Sequence, residues 1–103
     1  MKWNAKDLHE WEVVESSGWR KLENFGTFQD RAGVFIFTNA DLHVKYIGKA
    51  GPGRIVKEIK SAISRGKSFG ATKVKVLYTN SDKGAVSLKR KLLTKYKPVL
   101  NHG

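Results

Sequence analysis

A cation stands where a helix should be apolar. Over residues 80–97, Ala85, Leu88, Leu92, Leu93 and Tyr96 recur at helical spacing, and at about 100° per residue Lys89 falls inside their stripe. Arg90, Lys91 and Lys97 fall outside it. A lysine so placed must carry its ammonium outward along its own stem, meet a carboxylate or a phosphate, or point into a cleft. Together with Lys45, Lys49, Arg54, Lys57, Lys73, Lys75, Arg90 and Lys91, it belongs to a set of side chains suited to phosphate contact without base selection. Carboxylates are scarce beside them: after residue 45 only Glu58 and Asp82 occur. Glu58 lies one turn after Arg54 and is placed to pair with it. Asp82 suits the first turn of the last helix, where a negative charge meets the helix dipole.

Other chemistries find little support. His9, His43 and His102 lack metal-ligand spacing. His43 lies on a hairpin within approach of Tyr46, but a lone histidine is more often structural or exposed. Neither a nucleophile elbow nor a phosphate-loop spacing is present.

The elements that must position these residues are short. Gly33–Phe37 and residues 43–47 read as two strands joined by the polar turn Thr38-Asn39-Ala40-Asp41-Leu42. Gly51-Pro52-Gly53 interrupts the chain before a helix over residues 54–65, whose Ile55, Val56, Ile59, Ala62 and Ile63 share one face and whose C-terminal cap is Gly66. A third strand spans 72–78, with Val74, Val76 and Tyr78 on one side and Lys73 and Lys75 on the other. Asn80 or Ser81 caps the last helix, which ends before Pro98. Residues 1–32 are least regular. Asn4–Leu8 suits a short helix, Trp11–Glu15 alternates like a strand, Ser16-Ser17-Gly18 marks a turn, and the three tryptophans read as core anchors. The β-β-α-β-α order implies an α+β fold, a small antiparallel three-stranded sheet flanked by helices, with one sheet face free for a partner.

At 103 residues the chain forms one domain, and it holds no cysteine, so disulfides and thiolate metal sites are excluded. The absence of cysteine, of a long apolar run and of an apolar leader fits a cytoplasmic protein without membrane contact. Charge is divided unevenly. Residues 1–44 carry five Lys/Arg and seven Asp/Glu, whereas residues 45–103 carry fifteen and two. A half with that balance attracts polyanions, because neutralising phosphates releases counterions.

These residues resemble the GIY-YIG nuclease superfamily. Gly33-Val34-Phe35 stands at the first motif, Tyr46-Ile47-Gly48 matches the second, and Lys49-Ala50, the basic helix, the third strand and the terminal Pro98-Val99-Leu100-Asn101 follow in order. The resemblance covers residues 33–101 and divides the chain into an N-terminal extension, 1–32, which packs on or flanks a GIY-YIG-like domain, 33–103. It implies cleavage of DNA with one Mg²⁺ or Mn²⁺ ion, a tyrosine in the attack, an arginine steadying the phosphate and a glutamate holding the metal. Tyr46 takes the tyrosine position and Arg54, or Lys57 in its place, that of the arginine. Asn101 matches the terminal asparagine. Phe35 replaces the first motif's tyrosine, and Lys89 replaces the glutamate.

An ammonium repels Mg²⁺ and offers it no lone pair. The first expectation is therefore a degenerate member that binds nucleic acid, DNA above all, and has lost metal-dependent cleavage, needing no cofactor. Its catalytic remnants would be Tyr46 and Arg54. An active endonuclease with a relocated ligand, Glu58, is a second reading. A protein-interaction or inhibitor module acting through residues 1–32 is a third.

Overall fold

The computed structural model describes residues 1–101. Asn4 caps a 3-10 turn over Ala5–His9, its side-chain oxygen accepting the Lys6 N–H at 2.8 Å. Two short strands follow, β1 (Glu15–Ser16) and β2 (Arg20–Lys21), then a 3-10 segment over Leu22–Thr27. β3 (Gly33–Thr38) and β4 (Val44–Ala50) form the hairpin. Next come α1 (Ile55–Ser64), β5 (Lys73–Tyr78), α2 (Asp82–Tyr96) and a closing 3-10 turn, Val99–Asn101. The β-β-α-β-α order and the α+β class are those the sequence predicts. Ser81 supplies the cap of α2, its hydroxyl accepting the Gly84 N–H at 3.1 Å. α1 lacks a side-chain cap from its own Arg54, and Asp30 serves instead, its carboxylate accepting the Val56 N–H at 3.3 Å. No described helix is long and apolar enough to cross a membrane.

β3 is the central strand, antiparallel to β4 on one side and to β5 on the other. The predicted three-stranded sheet is the middle of a larger one. β1 and β2 both pair with the far edge of β5, Glu15 opposite Tyr78 and Arg20 opposite Val74, with Ser17-Gly18-Trp19 looping out between them. Of the segment Trp11–Glu15 only Glu15 is strand; Trp11 sits in a turn and is 75 % exposed. Trp3 and Trp19 do anchor a core, packed edge to face with centroids 5.4 Å apart.

Neither face of the sheet is free, contrary to the sequence expectation. Phe35, Phe37, Tyr46, Ala50, Val74, Val76 and Tyr78 meet Ile55, Ile59 and Ala62 of α1 on one face. Val34, Ile36, Ile47 and Leu77 meet Ala85, Leu88, Leu92 and Tyr96 of α2 on the other, with Trp3, Leu8, Val13 and Trp19 completing that layer. Every residue of β3 is buried, which explains why its sequence is continuously apolar instead of alternating.

Residues 1–32 are tied to the domain by polar contacts at both ends of α2. Asp7 is buried, accepts the Tyr96 hydroxyl proton, and pairs with Lys95 at 2.7 Å. Tyr96 Oη in turn accepts the Asn4 N–H at 2.8 Å. Burial first, then the Asp7 hydrogen bond, push the Tyr96 phenol well above its ordinary range, so it stays a neutral donor. Replacing Tyr96 with Phe removes the donor and leaves Asp7 buried with Lys95 alone. The expected loss of stability is about 1–3 kcal/mol, read as a lower urea midpoint with unchanged slope.

Candidate nucleic-acid interface

β4 forms one edge of the sheet, and both helices pack on it. Its local sequence follows from that crowding. The Phe35 ring lies across Gly48, where a Cβ would stand 2.1 Å from the ring carbon Cζ. Only glycine fits beneath the ring, so the second motif's glycine is required by the first motif's aromatic residue. Tyr46 packs beside the same ring at 6.2 Å between centroids and beside Phe37 at 5.8 Å. Its ring is buried, and no hydrogen bond joins it to Arg54, Glu58, Lys89 or His43 among the described residues. The outer side of β4 is held by Asn101, which accepts the Ile47 N–H at 2.9 Å and donates to the Ile47 carbonyl at 2.8 Å. That pair of bonds gives the terminal asparagine a structural role.

Lys89 lies where α2 passes the β4 edge. It is half-buried in the wall of a shallow groove of about 520 Å³, lined by Lys49, Val86, Lys89, Arg90, Leu93, Thr94 and Lys97. Burial, then the charges of Lys49 and Arg65, hold its ammonium below the ordinary lysine range, against a smaller opposing pull from Glu58. Glu58 comes from α1, and Arg54 and Arg65 are the residues that flank its two ends, spaced from Glu58 by four and seven. Cations from β4, α2 and the C-terminal end of α1 therefore gather at one place. Arg65 is the member that sequence reading missed, although its spacing from Arg54 and Glu58 puts it on their face.

Carboxylates at this place are engaged. Glu58 pairs with Arg54 at 3.4 Å, as its spacing predicts, and Asp82 pairs with Lys49 at 2.9 Å. Both pairs are solvent-exposed and weak enough for a phosphate to displace. Among the described residues, no group of three or more His, Cys, Asp or Glu side chains is gathered in metal-binding proximity. The donor set around Lys89, two further cations and one engaged carboxylate, does not suit a hard divalent ion.

Several predicted phosphate contacts lie elsewhere. Lys75 is only 7 % exposed, its Nζ held between the rings of Trp3 and Trp19 at 5.1 and 5.2 Å from their centroids. Lys91 is taken up by Glu10 and Glu12 at 3.1 and 3.0 Å. Lys73 lies at the start of β5, opposite Lys21 and Thr38. Lys45 lies at the hairpin end of β4, lining a second groove. Arg90 and Lys57 remain exposed, Arg90 in the Lys89 groove and Lys57 on α1. His43 is exposed and paired through its backbone with Lys2, while His102 is outside the described residues.

No protein-family model and no curated protein matches the chain. Solved structures do. The GIY-YIG N-terminal endonuclease domain of UvrC from Thermotoga maritima, bound to its catalytic magnesium, is similar with a TM-score of 0.65 at 23 % identity, covering 76 % of this chain and 91 % of that one. A point mutant of that domain, bound to its catalytic divalent cation, gives the same TM-score and identity over 76 % and 90 %. The fold is GIY-YIG-like. Among the described residues, the groove that holds Lys89 is lined by Lys49, Arg90 and Lys97 and by no carboxylate.

Two outcomes follow for this edge. Gly48→Ala is expected to cost about 1–3 kcal/mol in denaturant unfolding, because the Phe35 ring is fixed in the core and cannot yield cheaply. Lys89→Met is expected to raise stability at neutral pH. A lysine held below its unfolded value of 10.5 destabilises the fold while charged, and the penalty fades as pH rises from the lowered value towards 10.5. The Met variant's advantage in urea midpoint should therefore shrink between pH 7 and pH 10.5.

Proposed function

We propose that this GIY-YIG-like domain binds the phosphate backbone of nucleic acid, DNA above all, through the β4 edge, and that it does so without metal-dependent cleavage. The observation that carries the proposal is Lys89, an ammonium held among Lys49 and Arg65 at a position where the family resemblance calls for a metal-holding glutamate. A half-buried positive charge with cationic neighbours costs stability by itself and becomes favourable when an anion arrives. Binding is positional and electrostatic, with backbone oxygens meeting Lys49, Arg54, Arg65, Lys89 and Arg90. Tyr46 and Arg54 keep their places as remnants of the nuclease pattern.

The relocated-ligand nuclease would depend on Glu58, which Arg54 already holds. The protein-interaction reading keeps part of its surface: Asp7 and Glu12 are buried, but Glu15, Glu23 and Asp30 are exposed, as is Trp11. Asp7 meets Lys95, Glu10 and Glu12 meet Lys91, and Glu15 meets Arg31.

Binding to a labelled duplex should lose affinity steeply with salt. Five phosphate contacts correspond to a logarithmic slope of about −4.5, or about 500-fold between 50 and 200 mM. Lys89→Glu should weaken binding and flatten that slope. On supercoiled plasmid the natural chain should leave the substrate intact with or without Mn²⁺. Mn²⁺-dependent nicking that Tyr46→Phe abolishes would establish an active nuclease instead.

A further inference from the structure

The loop between α1 and β5 presents an aromatic side chain to solvent. Phe69 is 81 % exposed, the most exposed aromatic residue described. The loop holding it is tightly built. Gly66 and Gly70 both adopt positive φ, near 79° and 78°. The Ala71 N–H bonds the Ser68 carbonyl at 2.8 Å, and Lys67 Nζ bonds the Leu100 carbonyl at 3.0 Å. The Lys45 stem runs beside Gly70, 3.8 Å from where a Cβ would be. The backbone that carries the ring is thus held in a defined turn while the ring itself is uncovered, an arrangement that contributes nothing to the core.

Phe69 and Val99, itself 83 % exposed, line a groove of about 590 Å³ with Lys45, Lys97, His43 and Asp41. Lys97 also lines the Lys89 groove. Its backbone is left-handed, with φ 45°, at the end of α2. The two grooves therefore meet at one lysine, and cations continue from Lys49 and Lys89 through Lys97 to Lys45. An exposed aromatic face beside a line of cations is what an unpaired nucleotide needs, the ring for its base and the ammoniums for its phosphates. A fully paired duplex has no base free to stack there.

We propose that Phe69 is a stacking platform for an unpaired nucleobase, so that this domain prefers single-stranded or locally opened nucleic acid over intact duplex. The proposal rests on the phosphate-binding reading of the Lys89 groove and names its substrate class.

The test compares binding of a labelled single-stranded oligonucleotide, the same strand with abasic positions, and the matching duplex. The natural chain should bind the single strand more tightly than either of the others. Phe69→Ala should weaken single-strand binding about tenfold, the loss of one stacked base, and leave duplex and abasic binding unchanged. Phe69→Trp should restore it. The ring is exposed, so an unchanged thermal midpoint is expected for both variants. If Phe69→Ala binds all three alike with the natural chain while the salt slope persists, the stacking platform is refuted and the phosphate groove stands. If binding is insensitive to salt and to Lys89→Glu, the phosphate groove fails, and with it the inference built upon it.

Discussion

The sheet has no face left for a ligand because its central strand is buried on both sides. Val34 and Ile36 point to one helix layer, Phe35 and Phe37 to the other, and the strand has no solvent-facing residue. That constraint pushes all surface chemistry to the margins. One margin, beyond β5, is covered by β1 and β2. The other, along β4, lies between the polar flanks of α1 and α2, where Lys49, Lys89, Arg90 and Lys97 line one groove. The proposed interface is thus a consequence of how a small domain closes two cores around one hairpin.

The acidic and basic halves of the sequence are two sides of one packing arrangement. The N-terminal segment wraps the outer flank of α2 and supplies carboxylates to its lysines. Glu12 is the deepest of these. Burial alone would raise its pKa, but hydrogen bonds from Ser87 and Lys91 overcome that and hold the carboxyl below its ordinary value. Its contribution is present at neutral pH and fades as the medium becomes acid enough to protonate it. The N-terminal carboxylates thus offset Lys91 and Lys95 but not the cations of the Lys89 groove.

Local signals in the sequence carried the hairpin, both long helices, a cap of α2 at Asn80 or Ser81, and the Arg54–Glu58 pair, whereas Asn4, read as part of a short helix, turns out to cap it. The anomaly at Lys89 was also legible, because helical periodicity alone exposes it. What could not be read depends on partners distant along the chain. β1 and β2 are two residues each, too short for any periodicity, and exist because β5 offers an open edge. Lys75 looks like a solvent-facing lysine on an alternating strand until Trp3 and Trp19 close over it. Lys91 looks free until Glu10 and Glu12 arrive from the other end of the chain. Gly48 reads as a motif letter, and only the ring of Phe35 explains it.

The bonds between Asn101 and Ile47 bear on how the domain is assembled. A side-chain amide there imitates the backbone of a neighbouring strand, and it arrives 54 residues after the strand it protects. The hairpin end of the outer rim of β4 is met from the other direction, where the Val44 N–H bonds the Met1 carbonyl at 2.9 Å and Lys2 bridges to His43. During synthesis residues 1–3 are already made when the hairpin emerges, so the stretch of β4 around Ile47 is the part that waits for a distant partner. Residues 1–3 and residue 101 close on one strand edge from opposite directions, and the rim is complete only once the asparagine has been made.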